Sequence, residues 1–177
     1  PPFLFCTIRF AMSAIPFVFF FPRPKAPILT LVAFGLFNFA IQFGLMFSGI
    51  YFGMSPGLAS LIVQVQVFFS IGLAYLLFKE RPGIFKIIGS LISFVGLGIV
   101  ASKVGGEVTL IGLVLTVLAA LSWALGNIFT KKVNAGSPLA LVVWGNLIAL
   151  PFMATTSFLV DGPELIVQSL QNISWVT

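Results

Sequence analysis

Of the 177 residues, 59% are hydrophobic and only 7% are charged, against roughly 25% charge in soluble domains, and the mean hydropathy is +1.17. These figures exclude a soluble globular domain and imply an integral membrane protein whose core is made of lipid-facing helices. The net charge of +5 therefore does not point to nucleic acid, since no basic patch is interleaved with base-stacking aromatics.

Cys6 is the single cysteine, which excludes an intramolecular disulfide or a thiolate metal cluster and reads as a small buried apolar residue. The sequence has no histidine, which removes the commonest metal ligand and the usual base of a nucleophilic triad. Neither a metal nor another cofactor is expected, and no enzymatic activity. No methionine opens the chain, and it closes on Trp175, Val176 and Thr177, so it reads as a fragment of a longer protein.

The first predicted span runs from Pro2 to about Phe21 and is ended by the proline and cation cluster at 21 to 27. Arg9 lies inside it, which argues against a signal peptide, whose charge precedes its apolar region. A second span covers Leu29 to about Phe52, with Asn38 and Gln42 four apart on one face. Ser55 can cap the third span, Gly57 to Phe78, with Pro56 in its first position. Ser60 and Gln64 share a face there, and Gln66 is about 200° away from Gln64. The tight charged turn Lys79 to Gly83 makes the third and fourth spans antiparallel neighbours.

In the fourth span, Ile84 to Ala101, Gly89, Ser93 and Gly96 form a side that reads as close helix packing. Ser102 to Val108 is a loop. The fifth span, Thr109 to Lys132, places Trp123, Asn127 and Lys131 at spacings of four, so an aromatic, an amide and a charge share one face. The sixth, Pro138 to Val160, carries Trp144 and Asn146 in its first half. Beyond it, Leu165, Ile166, Ser169 and Leu170 can share a face of a short interfacial helix. Asn172-Ile173-Ser174 matches a glycosylation acceptor by residue type, a pattern that chance explains better.

Arg23, Lys25, Lys79, Arg81, Lys86, Lys131 and Lys132 fall at the first, third and fifth connections, whereas the alternate ones hold only Lys103 among the cations. The positive-inside rule places the first set in the cytoplasm. Arg9 reads first as structural, bonding to carbonyls or reaching an aqueous edge, with substrate contact as the alternative. Trp144 and Trp175 read as members of the interfacial aromatic belt. The carboxylates Glu80, Glu107, Asp161 and Glu164 all sit in loops or at span ends, so no transported proton is expected to ride on them. Asn38, Gln42, Gln64, Trp123 and Asn127 are the candidate substrate-binding residues, each on a polar strip that can line one cavity. Interhelical hydrogen bonding is the competing account of the same amides.

Three places resemble the drug/metabolite transporter superfamily, EamA type, and most resemble its bacterial exporters of amino acids and related metabolites. Ser122-Trp123-Ala124-Leu125-Gly126-Asn127 followed by Lys131 is similar to the pattern that opens each five-helix repeat. Glu80-Arg81 leading to Gly89 and Gly96 is similar to the end of the first repeat, and Arg9-Phe10 to the second helix. The resemblance implies an all-α integral membrane fold: about six transmembrane helices of a ten-helix transporter built as two inverted repeats. Residues 1 to 101 would belong to the first repeat and 109 to 177 to the second. The proline that many members carry in the fourth helix is replaced near Gln66.

The implied function is secondary export of amino acids or related small metabolites by alternating access, from a multi-pass position in the bacterial inner membrane. The expected partners are a small-molecule substrate and the lipid bilayer, with no nucleic acid. Nucleotide sugars or other anionic or drug-like metabolites are the alternative substrates. A channel is the alternative class, although the polar strips are short and capped by Phe43, Phe68 and Phe129.

Overall fold

A computed structural model of the chain describes residues 1–103, 108–133 and 137–171. Glu107, the Asn172-Ile173-Ser174 tripeptide and Trp175 lie outside the described residues. All regular elements among the described residues are helical. Four of them are long and apolar enough to cross a membrane, Ile28–Tyr51, Pro56–Phe78, Leu110–Lys131 and Pro138–Val160, while Pro2–Ala14 and Ile84–Ile99 are shorter apolar helices.

Helix α1, Pro2–Ala14, stops earlier than its apolar composition predicts. The reason is Pro16, which has no N–H to donate and whose ring clashes with the preceding turn. The chain continues in turns, with the Ala14 carbonyl accepting from Val18 and the Phe17 carbonyl from Phe21. Phe3, Cys6, Phe10 and Ala14 form its buried stripe. Phe3, Cys6 and Phe10 pack on Ala149 and Met153 of α6, Pro138–Val160, and on Ala40. At the α1 N-terminus Pro1 supplies no side-chain cap, and Asp161 at the far end of α6 takes that place. Its Oδ2 accepts the Leu4 N–H at 2.9 Å and the Ser157 hydroxyl at 3.0 Å. A carboxylate is disfavoured beside its own helix C-terminus, and the positive N-terminal end of α1 compensates it.

Helix α2, Ile28–Tyr51, is the centre of the bundle and packs against both α6 and α5, Leu110–Lys132. Small residues make these approaches possible. A Cβ on Gly35 would lie 2.9 Å from the Gly145 carbonyl oxygen, and one on Gly126 would lie 2.1 Å from Asn38 Nδ2. In mid-helix, Leu36–Ile41 widens into a π turn. Widening disturbs the regular backbone ladder, and Ser122 of α5 meets it by donating its hydroxyl to the Phe37 carbonyl at 2.8 Å.

Helix α3, Pro56–Phe78, starts as expected, with Pro56 in the first turn and Ser55 accepting from the Leu58 N–H at 3.5 Å. Val63–Val65 is a 3₁₀ turn just before Gln66, so a local change of helix phase exists here although no proline stands there. The helix ends on Lys79, held left-handed at φ +54°. Helix α4, Ile84–Lys103, meets α3 in antiparallel fashion, with Phe94 edge-on to Phe68 at 5.2 Å between ring centroids. The expected close packing along Gly89, Ser93 and Gly96 is not what the structure shows. Nothing lies within 4 Å of a Cβ built on Gly89 or Gly96, and the Ser93 hydroxyl turns back to the Gly89 carbonyl. The face of α4 that meets α3 is the one bearing Phe94, so the small-residue side points away from the described bundle.

Thr109 caps α5 by accepting the Gly112 N–H at 3.1 Å, and its hydroxyl donates to the Phe52 carbonyl, tying α5 to the end of α2. Trp144 of α6 is half-buried and donates its indole N–H to the Phe21 carbonyl at 3.1 Å, which fastens the turns that follow α1. The short α7, Pro163–Gln171, follows α6, with Ile166 and Ser169 as its less exposed face.

Candidate functional site

Between α3 and α5 the described residues enclose a cleft of about 350 Å³. Its inner wall is an amide network. Gln66 and Ser70, one helical turn apart on α3, face Asn127 on α5. Asn127 Nδ2 donates to Gln66 Oε1 at 3.2 Å and to Ser70 Oγ at 3.4 Å, and the Ser70 hydroxyl donates to the same Gln66 oxygen at 3.2 Å. These bonds use the acceptor of Gln66 and a donor of Asn127. Gln66 Nε2 and Asn127 Oδ1 make no bond to the described residues, so the pair keeps both donor and acceptor capacity for a ligand.

The rim is charged. Glu80, Arg81, Lys86 and Lys131 line the outer part of the cleft. Lys131 Nζ lies 2.5 Å from Glu80 Oε2 and also over the Phe78 ring, 5.2 Å from its centroid. The left-handed Lys79 turns the chain sharply enough for the Glu80 N–H to reach back to the Ala74 carbonyl at 3.4 Å, which sets Glu80 across from α5. A solute in this cleft would meet an aliphatic wall, an amide network and a cationic rim broken by one carboxylate.

Of the five residues expected to face one cavity, only Asn127 is among the described residues that line this cleft; Lys131, outside the five, lines it one turn further on. Trp123 is half-buried against the cluster of Val63, Ala119 and Ala120. Gln64 is exposed, because the 3₁₀ turn aims Gln66 rather than Gln64 at α5. Asn38 and Gln42 are 6% and 4% exposed on α2, removed from the cleft. Asn38 sits in the π turn against Gly126, and its Nδ2 has no hydrogen-bond partner. Asn146 of α6 is also buried, with Oδ1 unpartnered.

Gln66, Ser70, Glu80, Arg81 and Lys86 line the cleft without having been on any predicted strip, whereas Lys131 shares its predicted strip with Asn127. The spacing of four between Gln66 and Ser70 was visible in the sequence, whereas the phase that aims them at α5 was not. Arg9, the one charge well inside a predicted span, is exposed, lies over the Phe43 ring at 4.6 Å and is not among the residues that line the cleft.

Several apolar helices of spanning length, with an amide network held between two of them, define a multi-pass helical membrane protein. The EamA-like transporter family model matches residues 1–102, and the chain belongs to that family. It is 41% identical over 184 residues to a probable amino-acid metabolite efflux pump of Salmonella typhimurium and 37% identical over 183 residues to one of Escherichia coli. Each alignment covers 100% of this chain and 61% of the relative, so the chain spans about three fifths of these relatives' length. An uncharacterized transporter of Bacillus subtilis is 31% identical over 144 residues, covering 76% of this chain and 46% of that protein. No solved structure matches the chain significantly.

Proposed function

We propose that the complete protein is a secondary exporter of amino acids or related small metabolites, working by alternating access, and that the cleft between α3 and α5 is part of its substrate path. The observation that carries this reading is the amide network of Gln66, Ser70 and Asn127 opening onto a charged rim. Amides donate and accept without a fixed charge, which suits a zwitterion that must be released again on the far side. The names of the Salmonella and Escherichia relatives support the substrate class.

In this reading residues 1 to 101 and 109 to 177 belong to two repeats, a division supported by a family match that ends at residue 102. The protein resides in the bacterial inner membrane, with the loops at Arg23, Lys79 and Lys131 in the cytoplasm. Asn127 contacts substrate directly, with Gln66 and Ser70 beside it. Asn38, Gln42 and Trp123 shape the path from behind through the α2, α3 and α5 contacts, and Gln64 stands apart on the outer face of α3. Asp161 serves α1 as an acceptor and carries no transported proton.

The test is counterflow by the complete protein in liposomes, with labelled amino acids, nucleotide sugars and organic cations. Saturable counterflow of amino acids is expected. Counterflow confined to nucleotide sugars would reject the substrate class, and a non-saturable ion current would reject the carrier.

A further inference from the structure

Resting on that reading, we propose that Glu80 and Lys131 are the two-point recognition site for the charged ends of a zwitterionic amino acid at the mouth of the cleft. Their mutual ion pair stands where the substrate's own carboxylate and ammonium will bind. The pair joins two separate elements, the turn after α3 and the last turn of α5, and its side chains are 56% and 44% exposed. An ion pair at that exposure is weak and readily exchanged, because water screens it and two long side chains must be held together.

Each partner is also held independently of the other. Lys131 rests over the Phe78 ring, and the backbone at Glu80 is fixed by the left-handed Lys79 and the bond to the Ala74 carbonyl. When the pair opens, both groups therefore remain at the cleft. A zwitterion replaces both halves of the bond at once, its carboxylate on Lys131 and its ammonium on Glu80, so no charge is left unpaired.

The rest of the rim and the inner wall fit this orientation. Arg81 and Lys86 line the same cleft, so the rim attracts carboxylates, while Glu80 is the carboxylate that rejects a simple anion and receives an ammonium. Asn127 precedes Lys131 by one turn, about 6 Å along the helix. Gln66 Nε2 and Asn127 Oδ1 belong to the inner wall of the same cleft, and in this proposal they are the polar atoms offered to a side chain directed inward from the rim. The charged ends would thus be read at the rim and the side chain by the amides.

A ligand-against-variant cycle in the reconstituted complete protein tests this, with L-threonine, L-threoninamide and N-acetyl-L-threonine as competitors of labelled threonine counterflow. In the unaltered protein both modified compounds should compete about tenfold more weakly than threonine, the scale of one charge-assisted hydrogen bond. In Lys131→Gln, threonine should weaken to the level of threoninamide, with discrimination between the two abolished. In Glu80→Gln, discrimination between threonine and N-acetyl-threonine should vanish instead. Persistence of either discrimination in its variant overturns the proposal. The charge swap, Glu80→Lys with Lys131→Glu, restores an ion pair but reverses the substrate, so affinity for threonine should stay low. Recovery to the unaltered value would assign the pair to structure alone. Absence of amino-acid counterflow in the unaltered protein defeats the amino-acid substrate class on which this proposal rests, a result distinct from a cycle that shows no coupling.

Discussion

Asn38 and Asn127 are both helical amides, yet they have opposite circumstances. Asn127 is half-buried and shares bonds with Gln66 and Ser70, whereas Asn38 is pressed against Gly126 with its donor unpartnered. Substitution should separate them. Asn127→Ala removes the donor that links α5 to α3 at the cleft, and should weaken substrate affinity by roughly tenfold with thermal stability changed by less than about 1 kcal/mol. Counterflow affinity and a detergent melting curve, taken on the same preparation, check both halves. Gly126→Ala should do the reverse at the level of the fold, because its Cβ would lie 2.1 Å from Asn38 Nδ2 and α2 would have to move. The expected loss is about 1–3 kcal/mol, seen as a lower melting temperature. Gly89→Ala, inside α4 with nothing within 4 Å, is the matched control and should be neutral or stabilising by up to about 1 kcal/mol.

At the scale of elements, two side chains repair defects that their own helices do not have. Ser122 of α5 bonds the Phe37 carbonyl within the π turn of α2, and Asp161 of α6 bonds the uncapped start of α1. Ser122→Ala should remove that cross-helix bond and cost about 1 kcal/mol. Asp161→Ala should lower the melting temperature more than Asp161→Asn, since an amide oxygen still accepts the Leu4 N–H. Equal melting temperatures for the two variants would contradict a capping role. The same reasoning explains the length of α1. Composition alone extends the first span to Phe21, but Pro16 ends the regular helix at Ala14, and Trp144 of α6 holds the following turns in place.

For the whole molecule, the placement of cations predicts orientation. With Cys6 replaced by alanine, single cysteines at Ala26 and Gly83 should resist an impermeant thiol reagent in intact cells and react after permeabilisation. Labelling of both in intact cells would invert the topology and put the Glu80 and Lys131 rim on the outer side. The apolar small-residue side of α4 belongs to this scale as well, since its surroundings within the described chain are open.

The sequence by itself determined that this is a polytopic helical membrane protein, and it placed the long spans to within a few residues, because hydrocarbon admits only backbone that satisfies its own hydrogen bonds. It also determined the cap at Ser55, the antiparallel turn at Lys79 to Gly83, and the family, through the residues around Trp123 to Lys131 and Glu80-Arg81. Only the tertiary structure decided which amides meet. Ideal periodicity groups Gln64 with Ser60 and leaves Gln66 on another face, but a three-residue 3₁₀ turn resets the phase and brings Gln66 and Ser70 to Asn127. The π turn around Asn38 and the bond between residues as distant in sequence as Lys131 and Glu80 were hidden for the same reason. Helix phase and cross-helix contact depend on how several elements pack together, which no spacing within one element encodes.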